Sequence, residues 1–321
     1  MLSWLLPWRV AALSILIVSC GGSSDSAEER WLEDTSAPLP ARLSEVGIYQ
    51  DISTRTAYDD MISYVPNHVL YSDGLEKERH LYLRVSATID ASGSAWTFPI
   101  GTVLVKTFVD GDAPVETRLI FRTEAGWDYA IYRWLSDASD AERLEGNWAE
   151  VPVILTGGRP HTLPSRLDCR TCHETHEAVA GVPVLGIGSL QTSADLVAAG
   201  VFSGTPELEP VEGRTEEETA ALRYFVGNCT SCHNGGDSIN SAFSLYPDVA
   251  AANTIGEPTE SETGEGIRVV PGSTEQSVLY ISVVEASKPE YPGPFKVMPP
   301  LGVDIADEQA ELVLRNWIES L

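Results

Sequence analysis

Two copies of one five-residue motif constrain this chain more than any other feature. Cys169-Arg170-Thr171-Cys172-His173 and Cys229-Thr230-Ser231-Cys232-His233 both have the pattern C-x-x-C-H. One helical turn places both thiols along one edge of a porphyrin, where each forms a thioether, and the adjacent His ligates the iron. A zinc site or a redox dithiol uses C-x-x-C, but neither requires His after each pair. The motifs therefore predict two covalent haem c groups, with His173 and His233 as proximal ligands.

The N-terminus has the pattern of an export signal. Its apolar run, 10–18, is too short to cross a membrane. The run ends Ile17-Val18-Ser19-Cys20, which resembles the lipobox of bacterial lipoproteins. The resemblance implies that 1–19 is a signal peptide, that Cys20 is lipidated, and that 20–39 is a flexible tether. Since Gly follows the Cys, it also implies an outer-membrane anchor facing the periplasm. An ordinary signal peptide with an unrelated Cys is the alternative.

Two helical patterns flank the second motif. Thr215 begins a capping box, and apolar residues recur behind it at helical spacing. A second apolar stripe ends the chain, and Asp304 is its expected N-cap. We expect these two helices to cross, with Phe225 or Tyr224 in contact with Trp317.

A proline-containing loop between these helices carries a candidate iron ligand. Met298 begins the sequence Met298-Pro299-Pro300-Leu301-Gly302 and lies 65 residues after His233. Thioether sulfur suits haem iron, and Met/His ligation raises the reduction potential. This 65-residue interval and the sequence of the loop resemble the axial-Met loop of class I cytochromes c. The resemblance to that class covers about 215–321. The resemblance implies a His233/Met298 site in an all-α domain; a Met that only packs in a core is the alternative.

The region before the first motif predicts a β-rich domain over 40–165. Segment 96–108 is rich in β-branched and aromatic residues, and the segments on either side of 123–127 predict a hairpin. Lys106 is expected to be a solvated strand residue. Residues 166–214 carry the first haem-attachment segment and a linker, which are too short for a complete class I domain.

Several segments resemble an uncharacterised family of bacterial diheme c-type cytochromes. They are Leu43-Ser44-Glu45-Val46-Gly47, Tyr71-Ser72-Asp73-Gly74 with Lys77 and Arg79, 98–108, and 164–191. The resemblance spans nearly the whole mature chain and implies haem binding and electron transfer. The expected fold class is therefore α+β and multidomain: a β-rich N-terminal domain, a haem segment, and an all-α class I cytochrome c-like domain.

The sixth ligand of the first iron stays open at the level of sequence. His176 is expected to lie near the proximal side, because it follows His173 by three residues. The other possibilities are an open position or one of His68, His80, His161 and Met61.

The charge balance narrows the possible partners. Lys and Arg number 21 against 47 Asp and Glu, which gives a net charge of −26. Nucleic-acid binding is excluded, because the sequence has no cluster of Lys and Arg that could contact phosphates. The negative charge suits a redox partner with a basic docking surface. The expected function is electron transfer in the cell envelope, without catalysis. The alternatives are a haem enzyme that acts on a small oxidant such as peroxide at an open first haem, and an electron-accepting subunit that docks a dehydrogenase.

Overall fold

The computed structural model describes residues 30–147, 150–236, 243–259, 264–288 and 290–321. The expected signal peptide, Cys20 and the first half of the tether lie outside these ranges. Within them, no helix combines the length and the apolar character needed to cross a membrane.

The largest element is a six-stranded antiparallel meander in which every strand pairs with its neighbours in the sequence. Its strands are β3 (Ile62–Ser63), β4 (Glu76–Tyr82), β5 (Val103–Asp110), β6 (Ala113–Thr123), β7 (Gly126–Trp134) and β8 (Ala141–Arg143). The predicted hairpin around 123–127 is confirmed as β6–β7. Two smaller hairpins pair β1 (Tyr49–Asp51) with β2 (Thr56–Ala57), and β9 (Val151–Ile154) with β10 (Pro160–Leu163).

Both faces of the main sheet are covered. Successive side chains of a strand point to opposite faces. Val103 and Val105 of β5 pack into a cluster with Tyr132 and the N-terminal Trp31. Leu104 points the other way, into a cluster formed with residues that follow the first motif. The second face is the one that positions the site described below.

In the described part of the chain, six α-helices accompany the sheet. They are α1 (Arg166–Ala180), α2 (Ala194–Ala198), α3 (Glu216–Asn228), α4 (Ala250–Thr254), α5 (Val278–Tyr280), which continues as a π-helical turn over Ile281–Glu285, and α6 (Glu308–Ser320). Helix α1 begins at a capping box between Ser165 and Asp168, because each side chain accepts the other residue's backbone N–H. It ends at Gly181, whose φ of 77° is in the left-handed region that glycine tolerates.

The helices expected at the two ends of the C-terminal region are present and in contact. Thr215 caps α3, and its hydroxyl accepts the N–H of Glu218. Helix α6 begins after Asp307, so the expected N-cap at Asp304 is wrong. Phe225 packs edge-on against Trp317, with ring centroids 5.6 Å apart, as predicted.

The predicted fold class is nevertheless wrong. The chain is β-rich, and no all-α class I cytochrome c-like domain is evident over the described part of 215–321. Between α3 and α6 this part has short helices and isolated β-bridges, such as Ile255 with Val269. The physical reason is the density of prolines and glycines in this stretch, since proline breaks a helix interior. The helical periodicity of the two ends does not extend to the residues between them.

The α3–α6 contact predicts unequal effects of one substitution at two positions. Leu222 on α3 is 3% exposed, whereas Leu312 on α6 is 60% exposed. Leu222→Ala should lower the free energy of unfolding by about 2–5 kcal/mol, because it leaves a cavity in the core. Leu312→Ala should change it by no more than about 0.5 kcal/mol. Urea denaturation of both variants measures the difference, and equal effects would contradict this packing.

Candidate functional site

A cavity of about 1250 Å³ lies between the main sheet, α1 and the C-terminal segments. Pockets for one small ligand span about 300–1000 Å³, so this volume exceeds the range for one ligand and suits two. The cavity is lined by every residue predicted to attach or ligate haem, namely Cys169, Cys172, His173, Cys229, Cys232, His233 and Met298. The structure therefore brings both motifs and the methionine to one place.

The first motif occupies the first half of α1, which packs against β7. The ring of His173 lies 5.4 Å from that of Tyr129 on β7. Its Nδ1 is 2.5 Å from the carbonyl oxygen of Pro183. A carbonyl only accepts, so Nδ1–H donates and the lone pair of the neutral ring is on Nε2. Burial lowers the pKa of His173 to about 3, so the ring is neutral at ordinary pH.

The second motif begins where α3 ends. The N–H of Cys229 donates to the Phe225 carbonyl (2.8 Å), and the N–H of His233 donates to the Cys229 carbonyl (2.8 Å). These bonds continue one helical turn past α3, so the thiols and the imidazole leave the backbone close together. The His233 ring lies 4.6 Å from the ring of Phe243. Burial lowers the pKa of His233 to about 4, which favours the neutral, ligating form.

The two motifs are in direct contact. Cys172 Sγ lies 3.9 Å from Cys232 Sγ. The side-chain amide of Asn234, just after the second motif, donates to the Thr175 carbonyl of α1 at 3.0 Å. A disulfide requires about 2.05 Å between sulfurs, so these two sulfurs are not bonded to each other. Each motif thus presents its second sulfur to the other.

The methionine loop is fixed to the cavity wall through its backbone. The N–H of Met298 donates to the carbonyl of Ser282 at 2.9 Å, in the π-helical turn that follows α5. The side chain is half-buried and lines the cavity. A thioether is therefore available to a ligand in the cavity.

Three of the four side chains considered as a sixth ligand lie away from the cavity. Both ring nitrogens of His161 are engaged, with Nδ1 2.6 Å from Asp73 and Nε2 3.1 Å from Glu116. Met61 packs in the cluster on the opposite face of the sheet, and the β4 register places His80 on that face as well. Of the four, the structure brings His68 to the cavity wall.

His176 is a further imidazole in the cavity wall. It lines the cavity one turn after His173 on α1. Its Nδ1 is buried without a hydrogen-bond partner in the described part of the chain. Burial lowers the pKa of this imidazole to about 4. A buried nitrogen without a hydrogen-bond partner is costly, so this atom is available to bind a group that fills the cavity.

The residues present fit two covalent haems. The cavity supplies two thiol pairs at helical spacing, two half-buried neutral imidazoles and one thioether. In the described ranges, no group of three or more His, Cys, Asp or Glu side chains is arranged to hold a bare metal ion. Thiols and imidazoles at these positions are the donor set by which a protein attaches and ligates haem c.

The expectation that Lys106 is a solvated strand residue is wrong. Its side chain lines the cavity, and burial lowers the pKa of its amine to about 7. Arg79 and Arg118, on the neighbouring strands, line the same wall. The sequence carried one signal for this inward orientation. Lys106 lies between Leu104 and Phe108 at the two-residue spacing of one strand face, and both of these residues are buried.

A buried ionic network lies beside this wall. His161 bridges the carboxylates of Asp73 and Glu116, and all three side chains are fully buried. Burial opposes protonation of His161, but its hydrogen bonds with the two carboxylates prevail and raise its pKa to about 9. Burial likewise raises the pKa of Glu116, yet Arg118 and His161 together lower it to about 2. The imidazolium of His161 and the carboxylate of Glu116 are therefore charged at neutral pH.

This network predicts that stability falls as the pH rises from about 6.5 to about 9. The pKa of His161 is raised on folding from 6.5 to about 9, so the folded state binds more protons across this window. The loss should be on the order of 3 kcal/mol once the pH passes 9. Urea denaturation across a pH series measures it. In Asp73→Asn the decline should be smaller and should end at a lower pH, because the folded pKa of His161 is raised less. A wild-type free energy of unfolding that stays flat over this window would contradict the charged His161.

Comparison of the chain with models of protein families, with curated proteins and with solved structures gives no match. The chemistry of this cavity is therefore the basis on which a function is assigned below.

Proposed function

We propose that this protein is a diheme c-type cytochrome that transfers electrons in the cell envelope. The observation that carries the proposal is the meeting of the two C-x-x-C-H motifs in one cavity, with Cys172 Sγ and Cys232 Sγ 3.9 Å apart. These sulfurs are attachment points of the two groups, so electron exchange between the groups needs no intervening protein element. A bound haem supplies one-electron redox chemistry.

The chain's own residues bind and orient these groups. The four cysteines attach them, and His173 and His233 ligate the irons. The Pro183 carbonyl holds the His173 ring in the tautomer that leaves Nε2 free to ligate. Met298 ligates the second iron, and its soft sulfur favours the reduced state. Of the four side chains considered as a sixth ligand, His68 is the one in the cavity wall and is the candidate ligand of the first iron.

The proposal extends to location and partners. The lipobox resemblance at Cys20 supports export and a lipid anchor in the outer membrane, facing the periplasm. The net charge of −26 supports docking of a redox partner through a basic surface. The family resemblance of the sequence to bacterial diheme c-type cytochromes supports haem binding and electron transfer.

A second candidate function is supported by the placement of His161, His80 and Met61 away from the cavity. With fewer ligands at hand, the first iron can keep an open position and act on a small oxidant. Carbon monoxide separates the two functions, because it binds reduced iron only where a position is open. Binding by the wild-type protein favours the enzyme, and its absence favours the electron carrier.

Haem attachment is tested by removing one thiol pair. Cys229→Ala with Cys232→Ala should halve the covalent haem, because the first motif still attaches one group. Ser231→Ala, inside the same motif, is the matched control and should retain both. Haem content is measured after denaturing electrophoresis and by the absorption of the pyridine complex. Two haems in the double variant, or none in the wild type after export with haem-attachment machinery, would contradict the proposal.

The role of Met298 is tested by a substitution that removes the sulfur and keeps the volume. Met298→Leu should retain both haems and lower the reduction potential of one, by an amount within the roughly 0.8 V that axial ligands span. Met61→Leu is the control, because Met61 packs on the other face of the sheet. Redox titration measures both, and an unchanged potential in Met298→Leu would exclude the sulfur as a ligand.

A further inference from the structure

Three cationic side chains form a row across the sheet where it faces the cavity. The strand register pairs Arg79 of β4 with Lys106 of β5, and Lys106 with Arg118 of β6. All three line the cavity. Like charges directly opposite each other destabilise a sheet. A row of three at the centre of a sheet is therefore an arrangement that core packing does not explain.

Two members of this row have no counter-ion. Arg118 is bound by Glu116, whose carboxylate also contacts His161. For Arg79 and Lys106, no carboxylate in the described ranges lies at ion-pair distance, and neither side chain donates a hydrogen bond there. Arg79 is only 8% exposed, and its side chain faces the cavity. A buried guanidinium normally has its donors satisfied.

The surroundings reduce this cost without removing it. Lys106 Nζ lies 5.1 Å from the ring centroid of Phe108, and the Arg118 guanidinium lies 4.2 Å from the same ring. A cation over an aromatic face gains less than the removal of a charge from water costs. An anion in the cavity would offset the remaining cost for Arg79, which is buried, and for Lys106, which is half-buried.

The row lies beside the first motif. Burial raises the pKa of the Cys169 thiol, and the nearby charges of Arg118 and Lys106 oppose that rise. Lys106 also acts on the imidazole of His173. The unpaired cations thus face the part of the cavity into which the first C-x-x-C-H motif projects.

We propose that Arg79 and Lys106 form an anion-binding site in the wall of this cavity, beside the first motif, for a carboxylate or a small oxyanion. The same chemistry has two sources: a propionate carboxylate of the first haem, or a free anion such as nitrite or sulfite. The propionate source rests on the proposed function, whereas the free anion does not. Arg79 supplies a planar fork suited to two oxygens, and Lys106 supplies a point charge.

The experiment uses the full-length, exported protein and two neutral variants, Arg79→Gln and Lys106→Met. Arg133→Gln is the matched control, because Arg133 is a cation of the same sheet whose side chain is 45% exposed. Resonance Raman spectra report the propionate bending bands. Optical titration with sodium nitrite and sodium sulfite at low ionic strength reports binding of a free anion.

Each source has its own expected result. For a propionate, the bending bands shift in Arg79→Gln and Lys106→Met but not in Arg133→Gln, and neither salt gives saturable binding. For a free anion, the wild type and Arg133→Gln bind nitrite or sulfite saturably, and each of the two cavity variants weakens binding at least tenfold. The charge-conserving variant Lys106→Arg should restore most of the affinity or the band position.

The proposal is overturned if both cavity variants carry two haems and match the wild type in bands and in titration. A stability measurement gives an independent answer. If no anion is bound, Lys106→Met removes an unpaired buried cation and raises the urea midpoint, and this result also overturns the site. If an anion is bound, the same substitution lowers the midpoint.

Failure of the anion site is distinguishable from failure of the proposed function. Haem content is measured first, on the wild type. If the wild type contains no covalent haem, the proposed function fails, and calorimetric titration of the haem-free protein with nitrite and sulfite still tests Arg79 and Lys106. Saturable binding that Lys106→Met abolishes supports the site there, and its absence overturns it.

Discussion

The carboxylate of Asp73, which is fully buried, joins three segments that are far apart in the sequence. One oxygen accepts the backbone N–H groups of Asp304 and Ile305, at 2.7 and 2.9 Å. The other oxygen accepts Nδ1–H of the imidazolium of His161 at 2.6 Å. Asp304 follows the methionine loop by six residues, so this one side chain sets where that loop meets the sheet. The placement of Met298 in the cavity depends on it.

The backbone of Asp73 has a left-handed conformation that is uncommon for residues other than glycine. Its φ of 50° lies in the left-handed region, and Gly74 follows with a φ of 74°. Aspartate tolerates this region better than most residues because its short side chain bonds locally. Here that side chain bonds to distant segments instead, which offsets the strain with charge-assisted hydrogen bonds. Removal of the carboxylate would leave His161 charged, buried and without one of its two counter-ions.

The residues that line the candidate site were the easiest to predict. The two C-x-x-C-H motifs, Met298 and the ends of α3 and α6 follow local rules of spacing, and in the structure the motifs and Met298 line one cavity. The fold class did not follow from the same rules. Helical periodicity at the two ends of 215–321 was extended to a whole all-α domain, but the prolines and glycines between them produce irregular backbone and β-bridges.

Long-range polar contacts were beyond sequence reasoning for a different physical reason. Asp73 and His161 are 88 residues apart, and Asp73 and Asp304 are 231 apart, so no local periodicity relates them. His161 appeared as a possible iron ligand because a lone histidine carries no sign of its partners. Lys106 appeared solvated because lysine usually is. Only the strand register shows that it is opposite two arginines, facing inward.

The contrast between exterior and interior charge bears on the source of the anion. The chain as a whole carries a net charge of −26, while the cavity wall beside the first motif presents Arg79, Lys106 and Arg118. A strongly negative protein repels free anions and slows their approach at low ionic strength. Under the proposed function a propionate would be exempt from this barrier, because it would arrive as part of a group that the cysteines hold covalently. The net negative charge therefore favours a haem carboxylate over a free oxyanion as the partner of Arg79 and Lys106.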